Sequence, residues 1–437
     1  MKKLLKSSFI IASTVSLLAG CTGSPANPVE EPQAKNTPKS PDNELFIYTV
    51  YPAFYAKEEV FDKQIGQYLK KKFPDITIKH VHWDKGRDYK DLIAAGTIPD
   101  IIIDNARMNL QRYILKNDLQ YDMTELIKKY NFDTSKLNPA AMAQMKNVTP
   151  EGKIYGLPFQ LSDLVLFYNK DIFDKFGVDY PKDGMTYDEI YEIAKKLTRV
   201  EGENTYKGYQ QHPGLYMTYN QRSASPLSLT EDKAELNTPE WKKLVDNLRR
   251  FYEIPANQFT SVDDFPKGKM AMSVHVSEKI IQWYEQNKNL NFDIASMPSF
   301  GDLPNTKAQP NMYSAYITKQ SSKKDMAFQV ISYLLSEEMQ TELSKEGIIG
   351  PLESKTVQEA FGKNLPQMQG KHTQAIFASK NAMPPAARAN GLTYIDVPAH
   401  IVFQPLIFGE SKDSVTALRM VEEQTTKGIQ TEKAANK

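Results

Sequence analysis

His80 and His82 are two residues apart, so on a strand their imidazoles share one face, as two ligands of a metal ion would. A zinc site needs three or four ligands and no third is evident, so an exposed strand edge accounts for the two histidines more simply. Cys21 is the only cysteine; it can form no intrachain disulfide, and its thiol is left for covalent modification. Neither G-x-S-x-G, nor H-E-x-x-H, nor a P-loop pattern occurs. A secreted glycosidase would need two carboxylates at a defined separation, which a sequence neither reveals nor excludes. These patterns predict a protein that is not an enzyme, with no catalytic residue, no metal and no cofactor.

The N-terminus gives Cys21 its context. Lys2, Lys3 and Lys6 precede an apolar run from Phe9 to Leu18, about ten residues, which is too short to span a membrane and right for an export signal. Leu18-Ala19-Gly20-Cys21 then resembles the lipobox of bacterial lipoproteins, which implies signal cleavage after residue 20 and a diacylglyceryl and palmitoyl anchor on Cys21. From Thr22 to Glu44 the chain has no aromatic residue and carries Pro25, Pro28, Pro32, Pro38 and Pro41. Such a segment cannot build a core, and residues 21–44 are expected to be a lipidated cysteine and a disordered tether with a reach of roughly 25 Å. The expected location is the extracytoplasmic face of the cell membrane, held by lipid alone.

The remaining length suffices for two lobes. Of 437 residues, 54 are Lys or Arg and 53 are Asp or Glu, giving a net charge of +1 with no basic stripe, so nucleic acid is not an expected partner. Leu45 to Tyr51 reads as a first strand, and Val60, Phe61, Ile65, Tyr68 and Leu69 as one face of a helix that Phe73-Pro74 closes. Ile76 to Trp83 reads as a strand, and Asp100 to Asp104 as a strand covered on both faces. This alternation predicts an α/β fold with a largely parallel sheet and a ligand crevice at the carboxyl ends of its strands. Thr186 with Glu189 makes a capping box, and Thr238-Pro239 starts a helix in which Trp241 falls on the buried face. Ser322 precedes a further helix, Ser336 starts another, and Val415, Leu418 and Val421 mark a last one.

In order along the chain, DYKDLIAAGTIPDII (residues 88–102), GKIYGLPF (152–159), LFYNKDIFDKF (166–176), FPKGKMAM (265–272) and FDIASMP (292–298) resemble segments of the family 1 extracellular solute-binding proteins, the group that includes maltose-binding protein. The resemblance implies a two-lobed periplasmic-binding-protein-like fold of type II, with the ligand cleft between the lobes. It implies one lobe of residues 45–160 plus 299–348 and another of 161–298 plus 349–437, with strands crossing near Gln160 to Leu164 and again near Met297 to Gly301. Its function would be capture of a mono- or oligosaccharide by hinge closure, as a monomer, for the transmembrane subunits of an ABC permease. A non-sugar ligand, or presentation of ligand to a membrane sensor, is the alternative.

By the same resemblance, ligand contacts fall on strand-end loops facing the cleft. These are Tyr51, Phe54 and Tyr55 after the first strand, Asp104 and Asn105 after the DIII strand, and Gln160, Ser162 and Asp163 at the first crossing. The second lobe adds His212, Tyr216, His275, Ser277 and Glu278, and Tyr313 and Ser314 reach in from the last crossing. Aromatic faces against a pyranose ring and polar groups for its hydroxyls are the chemistry that a sugar requires. Sugar-specialised members often carry tryptophans just after the strand ending in Ala271-Met272, where this chain has His275, Ser277 and Glu278; Trp283 lies further along. That polar substitution would suit a charged or highly oxidised sugar, an amino-sugar or a non-sugar ligand.

Overall fold

The computed structural model describes residues 42–50, 58–107, 109–397 and 413–435. Cys21, Tyr51, Phe54 and Tyr55 lie outside the described residues.

Strands β1 (Glu44–Thr49), β2 (Thr77–His82) and β3 (Ile101–Asn105) run parallel, with β1 in the middle. Between β1 and β2 residues 58–72 are helical, with a π turn at Asp62–Gly66, and Phe61, Ile65 and Leu69 are buried. The apolar run of β3 is covered on both sides: Ile101 and Ile103 join Leu45 and Ile47 in one core, while Ile102 joins Phe46 and Tyr48 in another. Each such isoleucine contributes about 1.5–3 kcal/mol relative to exposure, which explains why the run tolerates no polar alternation.

Strand β4 (Gly156–Leu161) closes the first sheet, and after a two-residue connection β5 (Leu164–Asn169) opens the second. A small hairpin, β6 (Arg199–Glu201) with β7 (Asn204–Tyr206), precedes β8 (Gln210–Gln211). The second sheet is completed by β9 (Met272–Val276) and β10 (Phe292–Ser296), in the order β10-β5-β9-β8. β11 (Thr306–Lys307) leads to β12 (Met312–Ile317), which inserts antiparallel between β3 and β4, so the first sheet reads β2-β1-β3-β12-β4. β13 (Lys380–Asn381) pairs in parallel with β11.

Pro158 sits in β4, an edge strand, where its missing N–H costs no internal ladder bond. Beside it the pairing slips by one residue, Gln160 facing Tyr313 and Pro158 facing Ser314, a bulge that re-aims the end of the strand.

The helix starts follow their capping chemistry. The Thr186 side chain accepts from Glu189 N while Glu189 accepts from Thr186 N, and Thr238 caps a helix with Pro239 at its first position. Trp241 is buried in the second lobe's core, and its indole donates to Ser225 O at 3.0 Å. Both later helices form where expected, with two details that the sequence did not carry. Ser321, not Ser322, has the working hydroxyl before helix Lys324–Leu334: it accepts from Lys323 N and donates to buried Asp100. In the last helix, Ser414–Ala435, Val415 faces solvent, and Ala417, Leu418 and Val421 make the buried stripe.

The second crossing also differs from expectation. At Ser299 the chain still belongs to the second lobe: Ser299 N donates to Met185 O, Tyr187 N donates to Ser299 O, and Phe300 packs on Tyr187. Met297 and Ala308 lie in the same core as Trp241, so the chain passes to the first sheet only at Gln309 to Met312. The Pro-Gly punctuation of residues 298–301 marks a turn that stays on its own lobe.

Candidate functional site

The first sheet ends toward the second lobe at β3, β12 and β4, where Asn105, Tyr313 and Gln160 lie side by side across the three strands. In the second sheet the corresponding edge is the start of β5 and the ends of β9 and β10, since Leu164 faces Val276 and Val165 faces both His275 and Ser296. The short β4–β5 connection, Ser162-Asp163, joins the two edges. Strand-end residues of both lobes therefore converge here.

Asp104 is fully buried at the end of β3. Its carboxylate accepts from the Tyr89 hydroxyl at 2.7 Å, Asn109 Nδ2 at 2.8 Å and Asn105 N at 2.6 Å. Burial nonetheless dominates and pushes its pKa up to about 7, the three donors acting in the opposite sense. Tyr89, which holds it, stacks on Tyr113 with ring centroids 5.0 Å apart. Asn105 donates to Asn311 Oδ1 at 3.0 Å and accepts from Arg107 N. Gln160 and Ser314 are buried at the same sheet end, and Tyr313 is nearly so.

Asp163 is committed at the connection. Buried Lys307 donates to it at 2.5 Å, Asn381 Nδ2 donates to its other oxygen at 2.9 Å, and Lys307 also donates to Ile376 O. With both oxygens engaged inside the protein, Asp163 acts as a hinge fastener. Ser162 donates to Glu278, whose second oxygen accepts from Ser277 at 3.1 Å, so these three residues form one cluster across the connection. Burial raises the Glu278 pKa.

His212 and His275 stand at the carboxyl ends of neighbouring parallel strands, β8 and β9. His212 Nδ1 caps the helix Pro213–Thr218 by accepting from Gly214 N at 3.0 Å. His275 packs edge-on against Trp283, and burial pushes its pKa down to about 3, so it is neutral at physiological pH. Tyr216 is placed differently. It is buried in the second lobe's core, its hydroxyl donating to Leu244 O at 3.1 Å and accepting from Asn247, which makes it a packing residue.

His80 and His82 sit on an edge strand but are not simply exposed. Both ring nitrogens contact the Thr49 hydroxyl, at 2.8 and 3.0 Å, and His80 stacks on Phe61. Burial lowers both pKa values, that of His80 to about 4. Among the described residues no group of three or more His, Cys, Asp or Glu side chains could hold a metal ion.

Two residues at the same sheet end escaped sequence reasoning. Trp83, immediately after β2, is 43% exposed, whereas Trp241 and Trp283 are core; an exposed indole at a strand's carboxyl end offers a flat apolar face of the kind on which a sugar ring packs. Arg107, two residues after β3, donates to Gln309 Oε1 at 3.1 Å and lies 5.6 Å over the ring of Tyr219 from the second lobe. Only the fold shows that contact.

The arrangement is that of a binding cleft: polar strand ends and aromatic rings from two lobes, joined by short connections. The chain is similar to solved structures of this architecture. A cyclic alpha-maltosyl-1,6-maltose binding protein from Arthrobacter globiformis aligns with a TM-score of 0.68 at 18% identity, over 89% of this chain and 99% of that one. An ABC substrate-binding protein from Listeria monocytogenes in complex with cycloalternan aligns with a TM-score of 0.65 at 21% identity, over 88% and 98%. Among curated sequences, the arabinooligosaccharide-binding protein of Bacillus subtilis (strain 168) is 29% identical over 212 residues, 46% of this chain and 44% of the relative, so the alignment spans less than half of that protein's length. The sequence profile of the bacterial extracellular solute-binding proteins matches residues 64–370, well over half of the chain. With the two-lobed fold and its converging strand ends, that match makes this chain a member of the bacterial extracellular solute-binding protein family.

Proposed function

We propose that this protein is the extracytoplasmic substrate-binding lipoprotein of an ABC importer, anchored through Cys21, and that it captures a saccharide between its lobes and delivers it to a membrane permease. The observation that carries this reading is the meeting of both lobes at one polar edge, where Arg107 of the first lobe, Gln309 of the second crossing and Tyr219 of the second lobe are in contact. Donors and acceptors from Asp104, Asn105, Gln160 and the Ser162–Glu278 cluster surround that edge, and Trp83 adds a flat apolar face. Sugar recognition calls for this mixture of rings and hydrogen-bonding groups. The saccharide ligands named for its relatives and structural neighbours lend support to the same class. Binding in such a protein works by population shift, because ligand that bridges the lobes favours the closed state.

The test is a melting-temperature screen of the chain from Thr22 onward against mono- and oligosaccharides, uronic acids, amino acids and short peptides. A ligand at a hundred times its dissociation constant stabilises by about 2.7 kcal/mol, an upward shift of several degrees at most. A rise with saccharides is expected; a rise confined to amino acids or peptides would overturn the carbohydrate assignment and leave the binding-protein assignment standing.

A further inference from the structure

Arg107 is unusual among the arginines of this molecule. Most of the others sit against acids: Arg222 with Glu240 and Asp302, Arg250 with Asp188, Arg112 with Asp396. Arg388, also partly buried, feels Asp232. Arg107 has no carboxylate within 4 Å among the described residues, and its charge-sensitive neighbours are two tyrosines, Tyr219 and Tyr394. Burial lowers its pKa, yet a guanidinium stays protonated in a protein.

Nearby acids are already engaged. Asp104 is held by Tyr89, Asn109 and the backbone N–H of Asn105, and Asp396, in the segment that brings Tyr394 up, is taken by Arg112 at 3.3 Å and by the Tyr394 hydroxyl at 3.1 Å. One guanidinium N–H goes to the neutral Gln309 side chain. A guanidinium offers five donors in a planar fork that matches an oxyanion in bidentate fashion. A half-buried positive charge without a counterion is less well solvated than one in water, and an anion delivered by the ligand offsets that cost.

We propose that Arg107 is the anchor for an anionic group on the ligand, so that the site selects an acidic saccharide, one carrying a carboxylate or a phosphate, over its neutral counterpart. The proposal rests on the saccharide reading above and narrows it. The oxyanion would be held by the guanidinium donors that Gln309 leaves free, where Arg107 of the first lobe meets Tyr219 of the second. His275 at the end of β9 and Ser277 and Glu278 just beyond it stand on the second lobe's side of the cleft, and Arg107 reads the charge from the first.

The experiment is calorimetric titration of the chain from Thr22 onward with matched probes: disaccharides of galactose, glucose and mannose against the corresponding diuronates, and the free hexoses against their 6-phosphates. At least one acidic probe is expected to bind tenfold or more tightly than its neutral partner, and the uronate and phosphate arms identify which oxyanion is preferred. Arg107→Gln should abolish that preference, lowering affinity for the acidic probe by tenfold or more and for the neutral one by less than threefold; Arg107→Lys, which keeps the charge and loses the fork, should fall between. Unchanged melting of the ligand-free variants shows that the fold survives, and the preference of the unaltered protein is decisive without them. Binding of neutral probes as tight as acidic ones, or equal losses for both in Arg107→Gln, overturns the acidic-ligand proposal and leaves the saccharide reading intact. If no saccharide of either kind binds, both fall.

Discussion

Asp104 shows how position on a strand sets a side chain's chemistry. As the last acid of a buried strand it is desolvated, and burial lifts its pKa to about 7, against an ordinary carboxylate value near 4. Between those values the native state holds a proton that the unfolded chain has released, so this group's contribution to stability is fully present below about pH 4 and is lost as pH rises through about 7. Asp104→Asn should remove that term. The difference in melting temperature, variant minus parent, should therefore grow from pH 4 to pH 7 and level off above, as thermal unfolding across that range would measure; a flat difference would mean that the carboxylate is ionised in the native protein throughout. The strand-end location of Asp104 was legible because DIIID is a continuous apolar run bounded by acids. Arg107 was not, since a single arginine after a strand carries no periodicity, and its meaning lies in contacts with Gln309 and Tyr219 more than a hundred residues away.

At the scale of elements, local chemistry carried most of the information. Thr186 with Glu189, Thr238-Pro239 and Ser336 each start a helix, because a cap satisfies backbone donors within its own four residues and so is written in adjacent letters. The connections were harder. Asp163 reads as a polar residue at a crossing, but its partners Lys307 and Asn381 come from 144 and 218 residues away, and the second crossing slid from residues 297–301 to 309–312 because a turn signal cannot say which lobe it turns toward. Lys307→Met should leave the Asp163 carboxylate buried without its cation and destabilise by about 3–5 kcal/mol, as denaturant unfolding would show; a change within 0.5 kcal/mol would mean that Asn381 alone suffices. Gly156 is a second sensitive point. A Cβ there would lie 2.5 Å from Tyr316 Cε1 on the neighbouring strand, so Gly156→Ala should lower the melting temperature by forcing that buried ring to move. An unshifted melt would show that the ring yields freely.

For the whole molecule, two sheets joined by short connections make lobe closure the expected response to ligand. Small-angle scattering of the protein with and without a saccharide that raises its melting temperature should show a smaller radius of gyration in the bound state; an unchanged radius would mean that the lobes are already closed when empty. The two-lobed α/β architecture was readable from the strand and helix alternation together with the ordered family-like segments. How the lobes are fastened was not, because the fastening is made of long-range hydrogen bonds. Ser162 N donates to Asn311 O at 2.7 Å and Leu161 N to Ile349 O at 2.8 Å, which lays three separate passages of the chain side by side. A ribbon in which the middle passage is bonded to one on either side bends more readily than it twists or slides, and it has redundancy that one linker would lack. A protease that nicked one passage would leave the halves tied by the other two, and the cut chain would still run as one particle on a sizing column until denaturant released its fragments.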